Sequence, residues 1–457
     1  MGVTEMEVRG RKVLIMGAAR SGIAASKFLA NEGAKVILTD IKSAETMQNV
    51  QAEVETFGIQ TLWGQQPDIK TISPDFIVTS PGIPLTVPPL VEAQKNLIPV
   101  ISEIELAYRF CQTPFIAVTG TNGKTTTTAL VGQLFKDGGR KVVIGGNIGL
   151  PLINEVKKLT PRDLIVAEVS SFQLETIDTF KPRVAIILNL TPDHLDRHGS
   201  MEGYRAVKAR IFKNQREEDF LILNFDDPLV KELAYQAKSQ VIFFSRKNKL
   251  EEGVYLMDNH LVIDIGEGPI PICKPEEISI KGTHNLENTM AAVAAGYILG
   301  LEPEEIQNTL KNFPGVPHRL EFITEINGIK FINDSKGTNP DASIKAIEAY
   351  NESIILIAGG RNKGSDFSYF AEKIKEKVKE VILVGEAAGE IKKALIEKGF
   401  YNYHEAQTYS QAVAQAFKLA KEGDIVLLSP ACASYDMFKN FEERGQAFKE
   451  LVLQLRG

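Results

Sequence analysis

A chain of 457 residues exceeds what one hydrophobic core organises, so several domains of ordinary size are expected, three in the working division. An apolar share of 44 % and a charged share of 24 % exclude a disordered or fibrous chain. With 52 basic against 58 acidic residues the net charge is -6, which argues against a nucleic-acid partner; any phosphate must be gripped by local geometry.

The first segment alternates short β-rich runs with helical stretches: a strand at 12–16, a helix at 21–31, and strands at 35–39 and 76–80. This βαβ pattern predicts a Rossmann-like domain over 1–112. Gly17-Ala-Ala-Arg-Ser-Gly22 follows the first strand and opens the helix, and Asp40 ends the next strand as a ribose-binding acid would. Ala19 stands where a dinucleotide fingerprint has its second glycine, so a nucleotide site of altered geometry and a plain strand-to-helix turn both remain open. The Met1-Gly2 start has Met6 where a myristoylation motif has Ser or Thr, and no leader or bilayer-length apolar run is visible.

A second series of strands, at 115–119, 141–144, 164–169, 184–189 and 220–224, predicts a central P-loop-type α/β domain over 113–312. Its first strand runs into Gly120, Thr121, Asn122, Gly123, Lys124, Thr125 and Thr126, then into a helix-compatible stretch. Glycines let successive N–H groups point at a polyphosphate, Lys124 neutralises it, and the Thr125 hydroxyl suits Mg²⁺. Val118 occupies the first glycine position of the strict loop pattern, but the strand, turn and helix context fits. Glu168 closes another strand, placed either to hold a metal or to face water. The run from Asn189 offers Asp193, His194, Asp196 and His198, which on a Pro-containing loop do not all converge; Asp196 and His198 read as surface or supporting groups. Lys208 sits on a basic amphipathic stretch, where most lysines are solvated.

Asn312-Phe-Pro-Gly-Val-Pro317 breaks the helical pattern, and strands recur at 354–358, 381–384 and 424–428, predicting a third, Rossmann-like α/β domain over 313–457. Cys111, Cys273 and Cys432 are odd in number and scattered, so they form no disulfide framework; a reducing, cytoplasmic setting is expected, with no membrane partner. The acidic balance is compatible with a monomer.

Seven motifs, in order, carry a resemblance to the Mur ligases over all three segments. They are the loop at Gly120, Glu168-Val-Ser-Ser-Phe-Gln-Leu, Thr191-Pro-Asp-His-Leu-Asp-Arg-His, Gly282-Thr-His-Asn-Leu-Glu-Asn, His318-Arg319, Asn333-Asp-Ser-Lys-Gly-Thr-Asn and Ser429-Pro-Ala-Cys-Ala-Ser. The Ser170-Ser-Phe-Gln and Asp334-Ser-Lys-Gly-Thr-Asn stretches resemble the D-glutamate-adding branch, and the Asp-Asn-Pro-Arg signature of the diamino-acid-adding branch is absent from the chain. The resemblance implies ATP and two Mg²⁺ ions at Lys124, Thr125, Glu168 and His194, with Lys208 carbamylated to serve as a metal ligand. It implies that Asn285, Arg319 and Asp334 hold the adenosine part and γ-phosphate. Arg20, Ser21, Asp40, Lys42 and Asn147 would bind the UDP end of a UDP-N-acetylmuramoyl-L-alanine substrate, and Ser170 and Gln173 its carboxylate. Lys336, Thr338, Lys363, Ser434 and Phe441 would position D-glutamate; Gly337 and Tyr435 depart from the residues these motifs were expected to carry. Another amino-acid-adding ligase, such as a different Mur ligase or a folylpolyglutamate synthetase, is the neighbouring alternative. A P-loop ATPase switch is the alternative of a different class.

Overall fold

The computed structural model describes residues 6–455, so the Met1-Gly2 start lies outside the described residues. The chain forms two compact units. One runs to Ile278 and takes in Leu286–Asn312; the other consists of Ser279–Asn285 and the chain from Phe313 onward.

The first unit holds two sheets. β1 (Lys12–Met16), β2 (Lys35–Asp40), β3 (Gln60–Trp63), β4 (Phe76–Thr79) and β5 (Val100–Ser102) make a parallel sheet in the order β3-β2-β1-β4-β5. Val13 and Ile15 point into one core and Leu14 and Met16 into another, the side-chain alternation a strand buried on both faces requires. The following helix, Arg20–Asn31, lies tight on β1: a Cβ on Gly22 would sit 1.9 Å from the Gly17 carbonyl oxygen. Gly22 therefore serves close packing.

The second sheet comprises β6 (Phe115–Thr119), β7 (Val142–Gly146), β8 (Leu164–Glu168), β9 (Val184–Ile187), β10 (Phe220–Asn224), β11 (Gln240–Ser245), β12 (Gly253–Met257), β13 (His260–Asp264) and β14 (Ile270–Cys273). Its order is β14-β13-β12-β11-β10-β9-β6-β8-β7, parallel from β7 to β12 and antiparallel beyond. Every residue of β6 is buried, and β6 lies between β8 and β9, where the strand order reverses and an α/β sheet opens a crevice at its carboxyl ends. The strand expected at 141–144 begins and ends later, at Val142 and Gly146.

The second unit is built on β15 (Glu321–Ile326), β16 (Ile329–Asn333), β17 (Ile354–Ala358), β18 (Val378–Val384), β19 (Tyr403–Ala406) and β20 (Ile425–Leu428), in the order β15-β16-β20-β17-β18-β19. Only the edge strand β15 runs antiparallel to its neighbour. Alternate residues of β17 feed separate cores on the two faces: Ile354 and Leu356 on one, Ile355 and Ile357 on the other. Cys111, Cys273 and Cys432 are buried free thiols, and no helix among the described residues is long and apolar enough to cross a membrane.

Within the first unit a single hydrophobic core continues from β1 into β6 and β9. The rings of Tyr108, Phe115 and Phe180 meet edge to face at 5.5 to 5.8 Å. Beside them the buried Glu105 carboxylate accepts bonds from the backbone N–H groups of Asp178 (3.0 Å), Thr179 (2.9 Å) and Phe180 (2.9 Å), from the Thr179 hydroxyl (2.6 Å) and from Arg109 Nε (2.7 Å). Such a charge is tolerated in the interior only because each acceptor direction is filled. Glu105→Ala strands these donors, so denaturant unfolding should show a loss of about 3–5 kcal/mol; an unchanged midpoint would contradict this account.

Candidate active site

The loop after β6 closes on itself. Gly120 (φ 149°) and Gly123 (φ 86°) take backbone conformations that favour glycine, and Gly123 caps the helix Lys124–Asp137. Asn189, at the carboxyl end of the neighbouring strand, clamps the loop: its Oδ1 accepts from Asn122 N (2.8 Å) and its Nδ2 donates to Asn122 O (3.1 Å). Thr121 Oγ1 donates to Thr191 O (3.2 Å) and lies 3.3 Å from the Tyr204 hydroxyl. Lys124 Nζ donates to Gly120 O (3.0 Å) and Thr121 O (2.8 Å). Thr125 and Thr126 are buried in the first turn of the helix.

Lys208 is not solvated. Its side chain, 1 % exposed, donates from Nζ to Gly120 O (2.9 Å) and Thr119 Oγ1 (3.3 Å). Burial first, then the neighbouring Lys124 ammonium, hold its pKa well below the usual lysine range, with Asp193 and Glu168 pulling the other way. Glu168 does not face water either: it is 2 % exposed, its Oε1 accepts from Asn147 Nδ2 (2.9 Å), and its Oε2 is buried with no hydrogen-bond partner. A buried carboxylate oxygen lacking a donor is a fitting ligand for a hard cation, as is the nearby hydroxyl-rich helix start. Among the described residues no three His, Cys, Asp or Glu side chains come together as a metal cage. An ion here would therefore draw on few protein ligands and on phosphate oxygens.

His194 sits half-exposed in a left-handed conformation (φ 52°), 3.5 Å from Asp193, with its ring 4.8 Å from that of Phe172. Asp196 is exposed, whereas the His198 side chain is almost wholly enclosed, its Nε2 3.0 Å from Ser171 Oγ. Ser170 and Gln173 form a capping box on the short helix Ser171–Leu174: Ser170 Oγ accepts from Gln173 N (3.3 Å) and Gln173 Oε1 from Ser170 N (3.0 Å).

At the carboxyl ends of β1, β2 and β4 lies a cavity of about 380 Å³ walled by Asp40, Lys42, Gln65, Ser80, Gly82 and Ile83 among others. The Asp40 carboxylate accepts from Ala18 N (2.9 Å) and Lys42 N (3.1 Å). Arg20 is exposed; Ser21 lines a separate small void beside Glu103. Asn147 lies with Glu168 and outside the wall of the larger cavity.

In the second unit, Asp334 follows β16 and its Oδ2 accepts from Ser429 Oγ (2.7 Å). Burial pushes its carboxyl up to about 7, against the Ser429 hydroxyl and the Arg319 guanidinium. Arg319 lies between His318 (φ 63°) and Leu320 (φ 45°), two strained positions. Burial first, then Arg319 and Lys345, lower the pKa of His284 to about 4. Asn285 Nδ2 donates to Lys281 O (2.8 Å). Lys336 Nζ stands 5.8 Å from the Phe441 ring and Lys363 Nζ 5.4 Å from that of Tyr435, while Ser434 is buried. Thr338 N donates to Lys336 O (2.9 Å), extending the turn after Asp334. Gly337 has a local reason: a Cβ there would meet Asp334 Oδ2 at 2.6 Å and Ser429 Oγ at 2.8 Å.

Three family models match this chain: "Mur ligase MurD-like, N-terminal domain" over residues 11–102, "Mur ligase middle domain" over 118–296, and "Mur ligase, glutamate ligase domain" over 318–432. The chain belongs to the Mur ligase family. Among curated relatives, the UDP-N-acetylmuramoylalanine--D-glutamate ligase of Pelotomaculum thermopropionicum is 52 % identical over 98 % of both chains. Proteins of the same name from Thermoanaerobacter sp. (strain X514) and Clostridioides difficile are 50 % and 45 % identical over 99 % of this chain and all of theirs. Among solved structures, UDP-N-acetylmuramate-alanine ligase MurC from Thermotoga maritima shares the fold, at 20 % identity and a TM-score of 0.60 over 97 % of this chain and 100 % of that one. MurF from Acinetobacter baumannii aligns with a TM-score of 0.61 at 18 % identity over 96 % and 93 %.

Several groups of this Mur ligase escape sequence reasoning. Arg444 is fully buried and braces the second unit's cluster, donating to Ser335 Oγ (3.0 Å), Ser335 O (2.8 Å) and Cys432 O (3.1 Å). Nothing in its spacing sets it apart from a solvated helix arginine. Asn288 lies three positions after Asn285 in a quoted motif, buried against the phosphate loop, with its Oδ1 2.2 Å from where a Gly123 Cβ would be. Glu103 is buried at the start of helix Glu103–Arg109 and accepts from Ile153 N (2.9 Å), steadying the segment that follows Asn147.

Burial pushes the Glu103 carboxyl up to about 7, against backbone donors at Ile153 and Leu152. Because its folded pKa exceeds the ordinary 4.5, the folded state retains a proton that the unfolded chain releases between these values. Stability from this group falls as pH rises through that window. Glu103→Gln should therefore gain on the parent between about pH 5 and about pH 8, by up to about 3 kcal/mol in paired denaturant titrations. Parallel stability curves for the two proteins would refute the shift.

Proposed function

We propose that this Mur ligase joins D-glutamate to UDP-N-acetylmuramoyl-L-alanine in cell-wall precursor synthesis, with ATP converted to ADP and phosphate. The choice of substrates is supported by the full-length similarity to D-glutamate ligases at 45–52 % identity. The chemistry is supported by one observation above the rest: the side-chain nitrogens of Lys124 and Lys208 converge on the Gly120 carbonyl, inside a clamped phosphate loop.

We assign the precursor's nucleotide end to 1–112, ATP to 113–312 and the amino acid to 313–457. Asp40 and Lys42 wall the cavity for the UDP end; Arg20, Ser21 and Asn147, which lie outside its wall, are assigned to the same end of the precursor. Ser170 and Gln173 take the alanyl carboxylate. Gly120, Thr121, Asn122, Gly123, Lys124, Thr125 and Thr126 cradle the phosphates. Asn285, Arg319 and Asp334 contact adenosine and γ-phosphate; Lys336, Thr338, Lys363, Ser434 and Phe441 position D-glutamate. The buried free thiols suit a reducing cytoplasm, and a monomer is the working form.

A carboxylate is a poor acyl donor because oxide would have to leave. The loop therefore presents the γ-phosphoryl of ATP to the alanyl carboxylate; an oxygen of that carboxylate forms the new P–O bond and ADP departs. Lys124 neutralises charge spreading over the transferred oxygens, and the loop N–H groups hold them in line. The neutral amine of D-glutamate then attacks the acyl carbon, loses a proton, and expels phosphate. Thr125, Glu168, His194 and a carbamylated Lys208 would hold two Mg²⁺ ions, which when bound would add to neutralisation of the polyphosphate.

Lys208 fits carbamylation for a physical reason. Burial that disfavours the ammonium favours the neutral amine, the form that adds carbon dioxide, and the product retains one N–H for the Gly120 carbonyl while gaining oxygens for a metal. Its negative charge would lie beside Lys124.

Incubation with ATP, UDP-N-acetylmuramoyl-L-alanine and a panel of D- and L-amino acids should give ADP and amide product with D-glutamate as the preferred amine. Phosphate release without the precursor would point to a P-loop ATPase switch, and preference for another amino acid to a different ligase. Lys208→Ala should lower kcat at least about a hundredfold, with partial recovery on adding short carboxylic acids. Full activity in that variant would remove Lys208 from the site.

A further inference from the structure

The cavity at the ends of β1, β2 and β4 and the loop carrying His194 are joined by one side chain. Arg197 donates from Nη1 to Pro81 O (3.2 Å) and from Nη2 to Ile83 O (3.2 Å), two carbonyls of the cavity's lip, which Gly82, Ile83 and Pro84 line. The same guanidinium grips Glu175 in a fork, Nε to Oε1 at 3.1 Å and Nη2 to Oε2 at 2.5 Å. Its carbon lies 4.5 Å from the centre of the Phe172 ring, whose other neighbours are His194 at 4.8 Å and His198 at 5.7 Å. Arg197 and Glu175 are 15 % and 11 % exposed, so this pair works largely out of water, where a planar fork with several donors outperforms a point charge.

The segment it holds needs holding. His194 carries a non-glycine left-handed backbone and is half-exposed, and no residue of the following turn, Leu195–His198, is fully buried. Beyond the bonds between Thr191 and Thr121 at its start, the segment is held by Arg197, by the Phe172 ring and by His198, whose Nδ1 lies 3.5 Å from Glu175. A shift of the lip at Pro81–Ile83 would thus be felt at Phe172 and His194 through a single guanidinium.

We propose that Arg197 is a positioning residue that couples filling of the precursor cavity to ordering of the His194 loop. The inference rests on the precursor reading above and deepens it. Energy from binding the remote nucleotide end is thereby used to set the geometry at the reacting end, and should appear in kcat more than in KM. A lysine would keep the charge but lose the simultaneous bonds to Glu175, Pro81 and Ile83.

Hydrogen–deuterium exchange of the full chain, with and without UDP-N-acetylmuramoyl-L-alanine, tests this directly. In the parent, the precursor should slow exchange at residues 81–87 and at 191–200 together. In Arg197→Lys it should slow exchange at 81–87 only, while kcat falls about tenfold and KM for the precursor changes less than about threefold. If Arg197→Lys does not fold, Arg197→Gln, whose shorter amide cannot bond Glu175, Pro81 and Ile83 together, should give the same uncoupling. Protection confined to 81–87 in the parent, or both segments still protected together in the variant, overturns the coupling and leaves the precursor reading intact. No protection at either segment in the parent overturns the precursor reading and the coupling with it.

Discussion

The carbonyl of Gly120 is where the architecture of the first unit is decided. Lys124, on the helix that follows the loop, and Lys208, from a helix more than eighty residues later, both donate to it. Two lysine side chains meeting on one carbonyl disfavour each other's charge, which adds to the burial that lowers the basicity of Lys208. The rest of the unit supports that convergence. β6 is buried between two parallel neighbours, so its carboxyl end is rigid; Asn189 pins the loop from the next strand; and Glu168 brings a carboxylate oxygen that no donor satisfies. The lowered basicity of Lys208 follows from the same enclosure, and so does the case for its modification.

Where strands and phosphate loop fall could be read from the chain because each depends on local pattern. Apolar runs of strand length, a glycine pair before Lys124, and helix breakers around Pro314 are visible without tertiary information. What could not be read depends on packing. Lys208 looks like any lysine on an amphipathic helix until its helix is laid against the phosphate loop, and Glu168 looks like a strand-end acid until Asn147 closes over it. Arg444, fully buried, and Arg197, partly buried, show the same limit: each guanidinium finds partners on segments distant in sequence. The reverse case is the turn at Gly17. Its pattern leaves a nucleotide site of altered geometry and a plain turn both open; packing adds that Gly22 serves helix-to-strand contact and that Asp40 accepts from the backbone N–H groups of Ala18 and Lys42.

Glu105 and Asp334 show two ways of burying an acid. Glu105 is surrounded by donors that complete its valences, a structural use of charge. Asp334 has the Ser429 hydroxyl and a single backbone N–H from Leu320, and Gly337 leaves the space its oxygen occupies. A carboxyl with so few donors is poised between protonation states, and the nearby Arg319 and strained His318 backbone give that site its charge and its shape.

The hydrophobic core that runs unbroken from β1 through Phe115 and Phe180 has a consequence for how such chains diversify. A module joined through a flexible tether is exchanged by cutting the tether. Here the opening segment shares its interior with the next, so any graft of a foreign opening domain would have to reproduce the contours around Tyr108 and the acceptor geometry of Glu105. Loops at the carboxyl ends of the first sheet can therefore vary more freely than the sheet itself can be replaced.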